Sequence, residues 1–164
     1  MIEVNIPGEG KYSFKYAFFD LNGTLAVDGI IKNSTRILLK KLTSIIDVFV
    51  ITADTFGVAD KLFKGINVNL IKLNSNNGAV EKKEIIEKYN PENIVAFGNG
   101  FNDNLMLEKA KLGIIVLQEE GLCIETLKKA DILVKDIDDG INLLLNPKRL
   151  IATLRRWEYA NFWV

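Results

Sequence analysis

The sequence predicts an α/β protein, in which a mainly parallel β-sheet is covered by helices on both faces in a three-layer α/β/α sandwich. Short apolar, β-branched or aromatic runs alternate with segments of helical periodicity along most of the chain. The strand-like runs are almost continuously apolar, as expected for strands that are buried on both faces. Alternation of strands and helices is typical of parallel sheets, whose ligands bind beyond the carboxyl ends of the strands.

The first expected elements are a β-hairpin that leads into a buried strand. Residues 2–6 and 12–19 have strand character, and Pro7-Gly8-Glu9-Gly10 separates them as a turn. Ser34 is a suitable N-cap for a helix with apolar residues on one side. The next predicted elements are a buried strand, a short helix, an alternating strand and a longer helix, at residues 47–51, 59–63, 67–73 and 80–89.

The strand–helix pattern then repeats. The predicted elements are strand, helix, strand, helix and strand, at residues 93–97, 104–111, 113–117, 124–130 and 132–134. Asn146, followed by Pro147 at a first helical position, predicts a last helix. An aromatic tail follows, for which we favour packing against the body over packing against another subunit; its aromatic residues are Trp157, Tyr159, Phe162 and Trp163. Without a linker or repeat, we expect one domain over residues 1–164, with a core at about 16–145 and a helix and tail at 146–164.

Composition excludes several classes of function. Lys+Arg and Asp+Glu both number 21, whereas a nucleic-acid-binding protein usually has a basic excess. The chain has no histidine, which excludes serine–histidine triads, histidine–zinc sites and imidazole acid–base chemistry. The one cysteine, Cys123, cannot form an internal disulfide, and we expect it in the core of a protein from a reducing compartment. Catalysis would therefore use carboxylates, hydroxyls, lysine and a metal that prefers oxygen ligands, such as Mg²⁺.

The N-terminal segment alternates polar and apolar residues, unlike a signal peptide. We find no apolar run of the length that crosses a bilayer. The expectation from the sequence is a soluble, cytoplasmic protein that binds neither membrane nor nucleic acid.

Three predicted strands end on polar residues suited to chemistry. The first runs into Asp20, which is followed by a Gly-Thr turn; the second ends at Thr52, and the third on a glycine-rich turn that contains Asp103. Each segment alone could be an ordinary turn after a strand, with Asp20 as a capping residue. Three such strand ends in this order favour one shared site at the ligand-binding edge of the sheet.

These segments resemble the haloacid dehalogenase superfamily, and within it the phosphorylation domain of P-type ATPases. That domain carries Asp-Lys-Thr-Gly-Thr-Leu, Thr-Gly-Asp and Gly-Asp-Gly-x-Asn-Asp motifs. The corresponding residues here read Asp-Leu-Asn-Gly-Thr-Leu at 20–25, Thr-Ala-Asp at 52–54 and Gly-Asn-Gly-Phe-Asn-Asp at 98–103. The resemblance spans about residues 16–134 and is strongest to small soluble P-type-ATPase-like proteins. It implies a haloacid-dehalogenase-like Rossmannoid fold.

The resemblance also implies roles for individual residues. Asp20 would attack phosphorus and become an aspartyl phosphate, with Thr52 as a hydrogen-bond donor to the phosphoryl group. A lysine would offset phosphate charge; Lys82 fits best, Lys83 is the alternative, and either could be a solvated lysine on a helix face. The phosphate-binding set would be Gly23, Thr52, Ala53, Lys82 and Asn102. The Mg²⁺ set would be Asp20, Asn22 through its backbone carbonyl, Asn99 and Asp103.

Two carboxylates that are usual in the superfamily are amides here. Asn22 replaces the aspartate that protonates the leaving group and activates water, so turnover should be slow; such assistance is typically worth about 10²–10⁴-fold. Asn99 replaces the first aspartate of the third motif, which should weaken metal binding. Asp28, in the presumed flap, could substitute as an acid.

The motif spacing limits the size of the molecule and its functions. The gaps between Asp20 and Thr52 and between Thr52 and Lys82 leave no room for a cap domain or the nucleotide-binding domain of a transport ATPase. An open site would suit a phosphoprotein or a small phosphorylated molecule covered by a neighbouring subunit, so homo-oligomerisation is left open. The leading hypothesis is an Mg²⁺-dependent phosphohydrolase of low turnover. The rival is a non-catalytic or weakly catalytic binding or regulatory module; a receiver-like protein is disfavoured by the turn after Asp20.

Overall fold

The computed structural model describes residues 1–53, 58–74 and 76–156. Within these ranges, an antiparallel hairpin of β1 (Ile2–Ile6) and β2 (Gly10–Phe14) precedes a six-stranded, all-parallel sheet. The sheet consists of β3 (Tyr16–Asp20), β4 (Asp47–Thr52), β5 (Asn69–Lys72), β6 (Ile94–Gly98), β7 (Leu112–Val116) and β8 (Ile132–Val134). Its strand order is β5-β4-β3-β6-β7-β8, which places β3 between β4 and β6 in the middle of the sheet.

Helices cover both faces of this sheet. They are α1 (Asn33–Leu42), α2 (Val58–Leu62), α3 (Gly78–Glu87), α4 (Asn104–Lys109), α5 (Ile124–Leu127), α6 (Ile137–Leu145) and α7 (Pro147–Leu154). The hairpin, α1, α6 and α7 pack on one face, and α3 and α4 pack on the other. Adjacent strand residues point to opposite faces, so Phe19 stacks on Phe97 in one layer while Phe18 stacks on Phe49 in the other. The predicted α/β/α sandwich and the N-terminal hairpin are confirmed.

Some element boundaries differ from the predictions. The strand predicted at 12–19 is divided at Lys15, where the chain leaves the hairpin and enters the main sheet. Ser34 is not the N-cap of α1, because the helix begins at Asn33 and Lys32 holds the cap position. The start of α1 is instead held by tertiary contacts: Lys32 Nζ lies 2.7 Å from Asp136 Oδ2, and Thr35 donates a hydrogen bond to Asp138.

Helix α6 was absent from the predicted elements, because Gly140 and two aspartates weaken its helical pattern. Its glycine is required by packing, since a Cβ there would lie 3.0 Å from the ring of Phe97. Pro147 begins α7 as predicted, but the Asn146 side chain makes no capping bond and donates back to Asn142.

Three other expectations concern the ends and the surface. Cys123 is partly exposed at the start of α5, so its predicted place in the core is wrong. The aromatic tail residues lie outside the described residues, so their packing stays a prediction, as does the single domain. None of the helices in the described ranges has the length and apolar character that a membrane span requires. The cytoplasmic location stays a prediction.

Candidate active site

The three motif-bearing strand ends lie side by side at the carboxyl edge of the sheet. Asp20, the last residue of β3, is paired in register with Ile51, which immediately precedes Thr52. On the other side of β3, Phe19 pairs with Phe97, so the turn after β6 lies beside Asp20. Parallel strands all end at the same edge of a sheet, which is why motifs that are far apart in sequence meet here.

Lys82 is a buried cation between two buried carboxylates. Its Nζ lies 2.5 Å from Asp20 Oδ1 and 2.6 Å from Asp103 Oδ1, and its fractional exposure is 0%. It lies on the inner face of α3 because it precedes Ile85 and Ile86, which are buried in the core, by three and four residues. Of the two lysines considered from the sequence, Lys82 rather than Lys83 contacts Asp20.

The charges of this cluster influence each other strongly. Burial raises the pKa of Asp20 from an ordinary 3.8 to about 7, and repulsion from Asp103 adds to this while Lys82 opposes it. Burial also disfavours the ammonium charge, but attraction to Asp20 and Asp103 outweighs that effect and raises the pKa of Lys82. With both carboxylates ionised, the three groups carry one net negative charge away from water, which favours a proton or a cation beside Asp20.

The carboxylate of Asp103 stabilises the turn after β6 by accepting hydrogen bonds from its backbone. Its Oδ2 accepts hydrogen bonds from the backbone N–H groups of Asn99 (3.0 Å) and Gly100 (2.9 Å), while Oδ1 contacts Lys82. A carboxylate has about four acceptor positions, so one position on Oδ1 remains for a metal ion. The preceding Gly98 must be glycine, because a Cβ there would lie 2.5 Å from Asp103 Cβ.

Asn99 joins the turns that follow three strands. Its Oδ1 accepts a hydrogen bond from Thr24 Oγ1 at 3.2 Å, and its Nδ2 donates to the carbonyl of Gly121 at 3.1 Å. Because a carbonyl can only accept, the amide nitrogen must face Gly121, and this sets the orientation of the amide. One acceptor position of Oδ1 remains. Gly23 permits this contact, since its φ is +77° and a Cβ there would lie 2.8 Å from Asn99 Cγ.

The chain reverses sharply in residues 20–26, which we call the Asp20 turn. The carbonyl of Leu21 accepts the N–H groups of Leu25 at 2.9 Å and Ala26 at 2.8 Å, and Gly23 N–H donates to the carbonyl of Ala26. The side chain of Asn22 is exposed on this turn. A short flap follows, in which Val27 pairs with Ile30.

The tip of this flap is Asp28-Gly29, with both residues at positive φ, as in a two-residue type I′ turn. Asp28 is exposed, and its N–H donates to Glu120 Oε1 at 3.2 Å.

The remaining predicted site residues lie around the same edge. Thr52 is buried at the end of β4, whereas Ala53 and Asn102 are exposed, and Asp54 lies outside the described residues. One contact was missed by sequence reasoning: Gln118 Nε2 donates to the backbone carbonyls of Thr24 (2.5 Å) and Gly23 (3.3 Å). No local pattern marks Gln118, since a polar residue after a strand is ordinary.

Comparison with known proteins identifies the family. Residues 82–141 match the family model for haloacid dehalogenase-like hydrolases. An uncharacterised protein of Methanocaldococcus jannaschii is 48% identical over 80 residues, which cover 46% of this chain and 86% of that protein. The chain belongs to the haloacid dehalogenase-like hydrolases. The finer resemblance to P-type ATPases stays a prediction.

Solved structures of the family share this fold. The magnesium-, phosphate- and KDO-bound 3-deoxy-D-manno-octulosonate 8-phosphate phosphatase of Moraxella catarrhalis superposes with a TM-score of 0.69 at 19% identity, over 87% of this chain and 94% of that one. The cobalt-bound phosphatase of Haemophilus influenzae gives 0.70 at 12% identity, over 88% and 94%. At these identities the similarity concerns the fold, which is that of haloacid dehalogenase phosphatases.

The oxygen donors beside Asp20 fit Mg²⁺. The described residues hold no cluster of three or more acidic, histidine or cysteine side chains suited to a metal. However, Mg²⁺ in proteins commonly uses one or two carboxylates and completes its shell with other oxygens and water. The carboxylates of Asp20 and Asp103 converge on Lys82 Nζ and so lie close together, which is a pair of oxygen donors of the kind that Mg²⁺ prefers.

Proposed function

We propose that this chain is an Mg²⁺-dependent phosphohydrolase that works through an aspartyl phosphate on Asp20. The carboxylate oxygen would bond to phosphorus as the bond to the leaving-group oxygen breaks. Water would then attack the acyl phosphate, release inorganic phosphate and regenerate the carboxylate. The observation that carries this proposal is the contact of Asp20 with Lys82 at the carboxyl edge of the sheet.

The surrounding residues have complementary roles in this proposal. Lys82 would offset the negative charge that spreads over the phosphoryl oxygens, and the Thr52 hydroxyl would donate a hydrogen bond to one of them. Gly23, Ala53 and Asn102 would complete the phosphate-binding surface. Bound Mg²⁺ would supply further charge neutralisation; the residues that would hold it are Asp20, Asn22 through its carbonyl, Asn99 and Asp103.

Leaving-group chemistry limits the substrate. The amide of Asn22 cannot protonate a departing alkoxide, so substrates with good leaving groups should react fastest. A phosphorylated small molecule is favoured over a phosphoprotein by the names of the structural neighbours, which are octulosonate 8-phosphate phosphatases. Turnover is expected to be low.

Hydrolysis of p-nitrophenyl phosphate and of a simple alkyl phosphate, each with Mg²⁺ and with EDTA, tests the proposal. We expect metal-dependent phosphate release that is faster for the aryl ester, because p-nitrophenolate leaves without protonation. Equal rates with EDTA would contradict the metal requirement. A clear preference for the alkyl ester would contradict the expectation that the site lacks a general acid.

Restoring the missing acid should accelerate the reaction. Asn22→Asp is expected to raise turnover by about 10²-fold, with the larger gain on the alkyl ester, because a carboxyl group two residues after the nucleophile can protonate the leaving oxygen. The exposed position of Asn22 leaves room for this change. Asp28→Asn is the matched control: it should leave both rates unchanged, whereas a loss would identify Asp28 as the acid instead.

A binding or regulatory module is the second candidate. It is favoured by Asn99, because a side-chain amide offers the metal no negative charge, and both ends of this amide are already engaged by Thr24 and Gly121. In its non-catalytic form, such a module would bind a phosphate mimic such as beryllofluoride in the presence of Mg²⁺ but would release no phosphate from either ester. Measurable turnover would exclude a non-catalytic module, whereas a weakly catalytic one would still release phosphate slowly.

A further inference from the structure

The loop after β7 contacts both other turns of the site. We call residues 117–123 the β7 loop. Gln118, near its start, donates to the Asp20 turn, while the Gly121 carbonyl and the Cys123 N–H group bond to Asn99 on the turn after β6. The β7 loop therefore spans from the segment that carries Asp20 to the segment that carries Asp103.

Thr24 is where these contacts converge. Its hydroxyl donates to Asn99, and its carbonyl accepts from Gln118 at 2.5 Å. Thr24 is fully buried, so its polar atoms require partners within the protein. The Asp20 turn is thus held from the β6 side through the Thr24 side chain and from the β7 side through its backbone.

The chemistry of Gln118 suits this position. A side-chain amide nitrogen has two N–H donors, and here it faces two acceptors, the carbonyls of Gly23 and Thr24. A carboxylate in the same place would set acceptor against acceptor, and an apolar side chain would leave both carbonyls without this donor. Gln118 is only partly buried, so a substitution there does not open the core.

We propose that Gln118 is a positioning residue for phosphoryl transfer. By holding the carbonyls of Gly23 and Thr24, its amide keeps the Asp20 turn in the conformation that directs the Asp20 carboxylate and the Asn22 carbonyl. Small displacements of a reacting group are costly in rate, up to about 10²-fold for 1 Å. This inference rests on the proposed phosphohydrolase activity.

The variant Gln118→Glu tests it through pH. The introduced side chain has the same shape but is acceptor-only when ionised, and it regains an O–H donor when protonated. We expect kcat for p-nitrophenyl phosphate to fall roughly 10-fold or more near neutral pH. The ratio of variant to wild-type kcat should rise as pH is lowered towards the pKa of the introduced carboxyl group. Gln118→Met, which has no donor at any pH, should show the loss without this recovery.

The neighbouring change Glu119→Gln is the matched control, because it alters one charge on the same loop without touching the Asp20 turn. Glu119→Gln should leave the dependence of kcat on pH unchanged. Amide hydrogen exchange in residues 23–26 provides a readout without substrate: exchange should be faster in Gln118→Glu and Gln118→Met and unchanged in Glu119→Gln.

The outcomes distinguish failure of the positioning role of Gln118 from failure of the proposed phosphohydrolase activity. A wild-type protein without Mg²⁺-dependent turnover would overturn both, and the exchange data would then report only on the contact. An active wild type, with Gln118→Glu and Gln118→Met equal to it in kcat at every pH, would overturn the positioning role alone. A fall in the kcat of Gln118→Glu, relative to wild type, that does not vary with pH would also overturn the positioning role. Such a fall would indicate a packing defect, which does not depend on protonation.

Discussion

Asp20→Asn is expected to reduce Mg²⁺-dependent phosphate release by at least about 10³-fold, because the amide has the shape of the carboxylate but cannot attack phosphorus. The measurement is p-nitrophenyl phosphate hydrolysis at saturating Mg²⁺. In parallel, the reaction with phosphate-labelled substrate is quenched in acid to trap the aspartyl phosphate on the protein. Wild type should carry label on Asp20 and the variant should carry none. Retention of more than a tenth of the wild-type rate would rule out Asp20 as the nucleophile.

The pH dependence of stability shows whether the variant is folded and whether Asp20 is perturbed as described. With its pKa raised from 3.8 to about 7, native Asp20 holds a proton over a pH range in which the unfolded chain has released it. Wild-type stability from this group is therefore present at low pH and lost as pH rises through about 7. Relative to wild type, Asp20→Asn should gain free energy of unfolding as the pH rises from about 4 to about 7, measured by urea titration in EDTA. If the difference in free energy of unfolding between Asp20→Asn and wild type did not change with pH, the raised pKa of Asp20 would be contradicted.

Lys82→Met is expected to lose both stability and activity. The substitution keeps the volume of the side chain but removes the cation that two buried carboxylates share. Breaking a buried ion pair on one side costs about 3–5 kcal/mol, and proton uptake by Asp20 at neutral pH limits the loss. The loss of one stabilising charge on the transferred group should lower kcat by about 10²–10³-fold. Urea unfolding and p-nitrophenyl phosphate kinetics measure the two effects.

Lys83→Met is the control for this prediction, because it removes the same charge from the adjacent position of α3. It should change the free energy of unfolding by less than about 0.5 kcal/mol, as is usual for substitutions away from buried networks, and leave kcat unchanged. A larger loss of activity in Lys83→Met than in Lys82→Met would reverse the assignment of the phosphate lysine.

The fold class and the position of the candidate site follow from local sequence patterns. Continuous apolar runs such as 16–20 and 94–98 are typical of inner strands of a covered sheet, and the polar residues at or just after their ends then meet at one edge. Local patterns were therefore sufficient to bring Asp20, Thr52 and Asp103 to the same edge. Helix α6 was not predicted because Gly140 is unfavourable for a helix locally. It is required there because a larger residue would press against the ring of Phe97.

The contacts between these residues and their neighbours follow only from the folded chain. Lys82 was favoured over Lys83 from the sequence, but only the folded chain shows that Lys82 Nζ contacts both Asp20 and Asp103. Asn99 and Gln118 are engaged by backbone carbonyls of other loops, Gly121 and Thr24. A carbonyl is present at every residue and leaves no signature in the sequence, so contacts to it appear only when the chain is folded.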